Sequence, residues 1–208
     1  MDIAIFTIVV LIFSIILHEV AHGYAAQALG DPTARLAGRL TLNPVSHIDP
    51  IGSILIPAML VLTQAGIMFG WAKPVPYNPY NLRNQRWGEA IVAGAGVATN
   101  LAIAVLFALI ARGAVTQGLT EFASLAAVVV LVNLSLGLFN LIPIPPIDGY
   151  TLLRGVLPYK ASMAMGRFEE RMRAGGIFTL IIVLILLTQF FSTPFYRLVE
   201  YCYRILVG

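Results

Sequence analysis

Three residues near the N-terminus have the types and the spacing of a metal site. His18, Glu19 and His22 form the pattern His-Glu-x-x-His within the otherwise apolar stretch FSIILHEVAHGYAA, residues 13–26. On a helix the two histidines, at i and i+4, project from one face, where their imidazoles can bind one zinc ion. Glu19 lies beside that position, where it can take a proton from an attacking water and pass it to a leaving amine. The pattern predicts a zinc-dependent hydrolase, and the alternative is a pair of structural histidines.

A catalytic zinc ion needs a third protein ligand and an open position. The single cysteine, Cys202, excludes a thiolate cluster, so the ligand has to be a histidine or a carboxylate. The candidates are Asp31, His47, Asp49, Glu89 and Asp148. We favour Asp148 because it follows three prolines within residues 143–146, which end an apolar segment and free backbone carbonyls. Such a turn is tolerated at membrane depth only where it lines a cavity or packs on protein. A surface Asp-Gly turn is the alternative for Asp148.

The composition indicates a polytopic membrane protein. Of 208 residues, 59% are hydrophobic and 11% are charged, whereas soluble domains carry about a quarter of charged residues. The apolar segments are 3–29, 51–69, 89–111, 121–147 and 174–191. About 20 residues cross a hydrocarbon layer of about 30 Å, so the predicted fold class is an all-α polytopic membrane protein. Lys and Arg lie between these segments, which indicates membrane orientation, so we expect no nucleic-acid partner.

The metal site limits the number of spanning helices. If His22 and Asp148 bind one ion, they lie at the same depth and their helices run in the same direction. Two complete crossings between these helices would give them opposite directions, so one intervening segment does not span. The candidate is 51–69, which contains Pro57 and is expected to be re-entrant or interfacial. Four spanning helices remain. Ten of the 13 Lys and Arg residues then lie on one side, which the positive-inside rule makes cytoplasmic. Both termini are expected outside, and the active site is expected to open toward the cytoplasm.

Two connecting stretches indicate extended backbone. Residues 34–42 alternate polar and apolar side chains, which predicts a short membrane-associated strand or hairpin. Residues 71–84 contain Pro74, Pro76 and Pro79, which exclude a helix. Either stretch could hold an unwound substrate by strand addition.

The C-terminal quarter is expected to be accessory. Residues 154–173 look like a polar linker, and an additional helix with an amphipathic tail is expected over 174–207. One helical face of that tail carries Arg197, Glu200, Tyr201 and Arg204. This pattern predicts an amphipathic helix at the membrane interface. We therefore expect one integral-membrane domain over 1–208, with a catalytic core over 3–149.

Two motifs together resemble the paired signatures of the site-2 protease family, the zinc-dependent intramembrane metalloproteases. They are HEVAH in the first apolar segment and NLIPIPPIDG at residues 140–149. The resemblance implies that His18, His22 and Asp148 hold one zinc ion. It also implies that Glu19 is the catalytic glutamate.

A third family motif, Ala-Gly-Pro-x-x-Asn, resembles AGVATNLA at residues 95–102, where Val97 stands in place of the proline. The resemblance places Asn100 near the active centre. Close helix packing through small residues is the alternative for the neighbouring AGAG run. Asn100 and Asn140 could each bind a substrate carbonyl or tie helices together, and the sequence does not decide between these roles.

The function that follows is hydrolysis of a peptide bond within or near a transmembrane segment of membrane-protein substrates, as in regulated intramembrane proteolysis. The partners are then such substrates and the lipid bilayer, in a prokaryotic cell membrane. The bundle must enclose a polar cavity, because hydrolysis needs water. The alternatives are a divalent-metal transporter or metal-binding membrane protein, which would need ligands toward the other face, and a catalytically silent relative.

Overall fold

A computed structural model describes residues 2–64 and 70–208, and their regular structure is helical. The helices are α1 (Ile3–Ala28), α2 (Thr33–Leu36), α3 (Ile56–Leu62), α4 (Gly88–Thr116), α5 (Thr120–Phe139), α6 (Asp148–Val156), α7 (Tyr159–Ala174), α8 (Gly176–Leu186) and α9 (Ser192–Val207). Short 3-10 turns occur at Pro44–His47 and Pro79–Asn81, and π-helical segments at Pro50–Leu55 and Leu187–Phe191. The all-α class predicted from the sequence is confirmed.

Three of the described helices are long and apolar enough to cross a membrane, namely α1, α4 and α5. The shortest, α5, has 20 residues, which at about 1.5 Å per residue matches a hydrocarbon layer of about 30 Å. The apolar helical stretch Pro50–Leu60, which comprises the π-helical segment and most of α3, is shorter than this. Residues 65–69 of the segment 51–69 lie outside the described residues. The segment 174–191 is divided between α8 and the π-helical segment, and α9 follows directly.

The core of the bundle is formed by α1, α4 and α5. Helix α4 runs antiparallel to α1, since His22 pairs with the Val92 carbonyl while the Ser14 carbonyl pairs with Asn100. Helix α5 returns antiparallel to α4 after a tight turn, and Gly137 packs on Leu101. Helices α1 and α5 therefore run in the same direction, as a shared metal site requires. The histidines of α1 and the turn after α5 come to the same end of the bundle.

The C-terminal helix α9 is amphipathic, as the sequence predicts. Its apolar face, centred on the buried Val199, packs with Ala104 and Ala108 of α4 and Val130 and Leu134 of α5. This face is covered by protein rather than free to lie on lipid at the membrane interface. The opposite face carries the exposed residues Arg197, Glu200, Tyr201 and Arg204.

The predicted β segments are wrong. No strand occurs within residues 2–64 and 70–208. The stretch 34–42 begins in the short helix α2, which ends at Leu36 and is followed by Gly38 at φ +64°. The Arg39 N–H donates to the Ala34 carbonyl. Backbone groups that would pair across a hairpin are therefore hydrogen-bonded within one helical turn. Residues 71–78 form no helix, as their prolines require, and the residues before those prolines are restricted to extended backbone, but the stretch belongs to no ladder.

The predicted polar linker 154–173 is mostly helical. Helices α6 and α7 cover nearly all of it and are joined at Pro158. Arg154 of α6 forms ion pairs with Glu89 of α4 and Glu169 of α7. These charges fasten the two helices to the start of α4 and exclude a loose connection.

Candidate metal centre

The proline-rich turn after α5 places Asp148 at the start of α6. Helix α5 ends at Phe139, and the Gly149 N–H donates to the Asn140 carbonyl over 2.7 Å, which closes the turn. A Cβ atom on Gly149 would overlap the backbone carbonyl of Leu141. Glycine is therefore required beside Asp148, and the compact turn points the Asp148 carboxylate back at α1.

Three ligand atoms converge in the bundle. Oδ2 of Asp148 lies 2.9 Å from Nε2 of His18 and 3.2 Å from Nε2 of His22, and the two Nε2 atoms are 3.0 Å apart. Zinc bonds of about 2.0–2.1 Å in tetrahedral geometry separate ligand atoms by about 3.3 Å. The observed triangle is thus close to one face of a zinc tetrahedron. In the described part of the chain, no other group of three His, Cys, Asp or Glu side chains has this arrangement.

The partners of the two imidazoles decide which nitrogen faces the centre of this triangle. Nδ1 of His18 lies 2.6 Å from Oδ1 of Asn100, and Nδ1 of His22 lies 2.7 Å from the Val92 carbonyl oxygen. Both partners are acceptors, so in the neutral imidazoles both Nδ1 atoms carry the proton. Both Nε2 atoms then present lone pairs to each other and to the carboxylate. A ligating histidine commonly has its second nitrogen held in this way.

The Asp148 carboxylate supports the same interpretation. Its Oδ2 atom is buried and has no hydrogen-bond partner among the described residues. Burying a carboxylate oxygen without a hydrogen-bond donor costs free energy, and repulsion from the lone pairs of the two Nε2 atoms increases that cost. A divalent cation at the centre of the triangle would satisfy all three atoms. The donor set, two neutral imidazoles and one carboxylate, is one that catalytic zinc sites use.

Gly96 of α4 leaves the space that the two imidazoles occupy. A Cβ atom at this position would lie 2.6 Å from Cε1 of His22 and 2.7 Å from Cε1 of His18. The Ala-Gly run that suggested helix packing therefore brings α4 directly against the two candidate ligands.

Glu19 lies on the same cavity as the three ligands. Its Oε2 atom accepts a hydrogen bond from the Val75 N–H over 2.9 Å. Val75 belongs to the extended stretch, which is held by bonds from the Lys73 N–H to the His47 carbonyl and from Arg39 to the Lys73 carbonyl. The cavity measures about 570 Å³, and its lining includes His18, Glu19, His22, Val75, Tyr77, Asn100, Asn140 and Asp148.

The two asparagines singled out from the sequence have different environments. Asn100 is fully buried, and its amide oxygen accepts a hydrogen bond from the His18 imidazole. Asn140 lines the cavity at the end of α5, and its Nδ2 donates to the Leu136 carbonyl. Sequence analysis did not identify Asn133, which is fully buried and accepts a hydrogen bond from Asn100. An asparagine within the apolar run VVVLVNLSL was the available signal, since polar groups at membrane depth usually have a role.

The other candidates for the third ligand have structural partners elsewhere. Asp49 accepts hydrogen bonds from the Ile51 and Gly52 N–H groups at the start of a π-helical segment. His47 is buried with Nε2 against the Thr41 carbonyl. Glu89 pairs with Arg154.

Asp31, which follows α1, is hydrogen-bonded to residues 78–81, just after the cavity-lining residues 71–77. Its carboxylate accepts hydrogen bonds from the Thr33 hydroxyl, the Asn81 amide and the Asn78 N–H. Burial raises the pKa of Asp31, but these hydrogen bonds outweigh it and leave the pKa lowered.

Tyr77 supplies a neutral polar group to the cavity wall. Burial, together with the nearby Glu89 carboxylate, raises the pKa of Tyr77 to about 12. The Tyr77 hydroxyl therefore keeps its proton at neutral pH.

Comparison with known proteins identifies the family of the chain. A model of peptidase family M50 matches residues 112–187. "Putative zinc metalloprotease YwhC" of Bacillus subtilis is 40% identical over 175 residues, covering 79% of this chain and 75% of that protein. "Putative zinc metalloprotease Rip2" of Mycolicibacterium smegmatis is 30% identical over 188 residues, covering 90% of this chain and 69% of that protein. The Rip2 protein of Mycobacterium tuberculosis H37Rv is 28% identical over 157 residues, covering 76% and 59%.

No solved structure matches the chain. The relatives decide the assignment, because the chain covers at least two thirds of two of them at 30% identity or more. The chain belongs to peptidase family M50, the site-2 protease family of zinc-dependent intramembrane metalloproteases.

Proposed function

We propose that the chain hydrolyses a peptide bond within or near a transmembrane segment of membrane-protein substrates, using one zinc ion held by His18, His22 and Asp148. The observation that carries this proposal is the triangle of 2.9, 3.0 and 3.2 Å among their ligand atoms, on a cavity shared with Glu19. A zinc ion bound there supplies Lewis acidity and makes a water molecule more acidic.

Glu19 acts as the proton acceptor and donor. The Val75 N–H holds one carboxylate oxygen, and a carboxylate retains further acceptor sites. Glu19 can therefore take a proton from the attacking water and deliver it to the leaving amine. The same hydrogen bond fixes the orientation of the carboxylate without neutralising its charge.

The substrate enters in an extended conformation. In a helix the carbonyl groups are engaged and the peptide bonds are covered, so a transmembrane substrate has to unwind first. Residues 71–77 support this step, since they are extended and several of them line the cavity beside Glu19. They offer backbone groups along which an unwound segment can align. Recognition of this kind depends little on the substrate's side chains.

The topology we propose has four spans: α1, α4, α5, and the segment formed by α8 and the π-helical residues Leu187–Phe191. The segment 51–69 enters the membrane and returns to the same side. The antiparallel pairing of α1 and α4 supports it, because a complete crossing by the segment 51–69 between them would make them parallel. By the positive-inside rule, the end that carries the metal site faces the cytoplasm of a prokaryotic cell, and both termini lie outside. Reporter fusions within 158–170 should report the cytoplasm and fusions at the C-terminus the outside, and the opposite pattern would invert the topology.

The chain would then form a single protease domain over 1–208, with a catalytic core over 3–149 and an accessory part over 174–207. Regulated intramembrane proteolysis is the process it would serve.

The test is Glu19→Gln in the purified full-length protein, assayed on a panel of single-span membrane proteins. The amide keeps the shape of the side chain but cannot accept the proton. We expect normal zinc content with cleavage reduced by at least about 100-fold. Glu121→Gln, at the opposite end of α5, is the matched control and should cleave like the wild type. Full cleavage by a zinc-loaded Glu19→Gln variant would refute the role given to Glu19.

A further inference from the structure

A chain of buried amides leads from His18 into the bundle. His18 on α1, Asn100 on α4 and Asn133 on α5 are connected in series by hydrogen bonds of 2.6 and 3.0 Å. Asn100 and Asn133 are both fully buried, and Asn133 is absent from the lining of the cavity. The known chemistry of the site gives Asn133 no role, although a fully buried polar group at this depth is costly.

The orientation of the Asn100 amide decides the tautomer of His18. With Oδ1 toward the imidazole, as here, Nδ1 donates and Nε2 presents its lone pair to the metal position. If the amide turned over, its NH₂ group would face Nδ1 and favour the tautomer with the proton on Nε2. That proton would occupy the position of the ion. The two ends of an amide are almost equal in shape, so packing alone does not select between them.

Hydrogen-bond partners make the selection. The Asn100 NH₂ group donates to Oδ1 of Asn133 over 3.0 Å and to the Ser14 carbonyl over a longer 3.4 Å. Asn133 is in turn fixed, because its own NH₂ group donates to the Val129 carbonyl one turn earlier in α5. The amide of Asn133 therefore cannot turn over without losing this bond.

We propose that Asn133 is a positioning residue, which fixes the Asn100 amide and through it the metal-binding tautomer of His18. The inference rests on the proposed zinc site at His18, His22 and Asp148. Asn133 contacts neither the metal position nor the substrate cavity. Its contribution is to the affinity for zinc, because the unbound site is held in the form that binds.

The first test measures zinc affinity by competition with a chelator of known affinity. Asn133→Leu removes the acceptor at similar volume, and we expect zinc to bind roughly 10- to 100-fold more weakly, as for other partners of metal ligands. Asn133→Asp keeps an acceptor for the Asn100 NH₂ group, so it should bind zinc within about threefold of the wild type. Equal losses in both variants would overturn the proposal.

A double-mutant cycle separates positioning from a simple tie between helices. Asn100→Asp places acceptor oxygens at both ends of the side chain, so its orientation no longer matters to His18. In that background, Asn133→Leu should change zinc affinity by less than about threefold. If Asn133→Leu weakens zinc binding equally in both backgrounds, Asn133 acts only as a helix tie and the inference is wrong.

A measurement on the unmutated protein keeps the inference testable if the variants do not fold. Nitrogen NMR of ¹⁵N-histidine-labelled, zinc-free protein, recorded at a pH where the His18 imidazole is neutral, should show its proton on Nδ1. A neutral imidazole with its proton on Nε2 would overturn the inference. If the wild type binds no zinc, or if His22→Ala binds it as tightly as the wild type, the zinc site itself is wrong. If the wild type binds zinc and Asn133→Leu binds it equally, only the inference about Asn133 is wrong.

Discussion

Gly96→Ala tests how closely α4 approaches the metal ligands. The added Cβ atom would lie 2.6 Å from Cε1 and 2.7 Å from Nε2 of His22, and 2.7 Å from Cε1 of His18. Carbon atoms in contact normally stand about 3.5–4.0 Å apart. The change therefore requires roughly 1 Å of movement at a point where both imidazoles meet helix α4.

The expected consequence is a weakened metal site. Ligand distances in a metal site are held to about 0.2 Å, so a displacement of about 1 Å cannot be absorbed with both histidines still bound. Overpacking of this kind typically destabilises a fold by about 1–3 kcal/mol. If most of that strain falls on the metal-bound state, zinc binds about 10- to 100-fold more weakly, since about 1.4 kcal/mol corresponds to a factor of ten. Cleavage should fall with zinc occupancy.

The assay is chelator competition for zinc, with cleavage of a single-span substrate measured at matched occupancy. Gly113→Ala is the control on the same helix, because a Cβ atom there meets nothing within 4 Å. It should bind zinc normally and stabilise the helix by up to about 1 kcal/mol. If Gly96→Ala folds and binds zinc as tightly as Gly113→Ala, the histidines do not occupy the positions described.

Two further predictions concern carboxylates. Asp148→Ala should lose zinc and cleavage together, whereas Asp49→Ala and His47→Ala should keep zinc, as measured by metal analysis of the purified proteins. If Asp148→Ala retains zinc and either of the other variants loses it, the third ligand lies in the loop 31–50. Asp31→Asn should lower the thermal unfolding midpoint at neutral pH. Because the folded pKa of Asp31 is lowered, its contribution is present above the unfolded pKa, about 3.9, and is lost as the pH falls through the folded value. The gap between variant and wild type should therefore close below about pH 4, and a gap that widens on acidification would contradict this.

The three residues that converge at the candidate metal site each carry a strong local sequence signal. The His-Glu-x-x-His spacing needs only a helix to bring His18 and His22 together. Asp148 is marked by the prolines that end α5, and its place beside the histidines follows from the direction in which α1 and α5 run. The cavity was also expected, since hydrolysis at this depth needs water.

The supporting residues were harder to predict because their roles depend on tertiary contacts. Gly96 looks like any small residue in a helix interface, and only the crossing of α1 and α4 places it under the imidazoles. Asn100 could equally have bound a substrate carbonyl, and its hydrogen bond to His18 resolves the choice. Residues 34–42 failed as a strand because alternation over so few residues also fits one helical turn closed by a glycine at positive φ. The helices of the linker 154–173 were not predicted, because the ion pair from Arg154 to Glu89 of α4 that holds them is not visible in any local pattern.

The most direct test of the account is the zinc X-ray absorption spectrum of the purified full-length protein. Its three histidines and single cysteine make the spectrum easy to interpret, because each ligand set has a distinct signature. The account predicts one zinc per chain with two imidazole nitrogens and oxygen ligands at about 2.0–2.2 Å, and loss of zinc in Asp148→Ala. A sulfur ligand at about 2.3 Å would implicate Cys202, and a third imidazole would implicate His47. Either result would contradict a site formed by His18, His22 and Asp148.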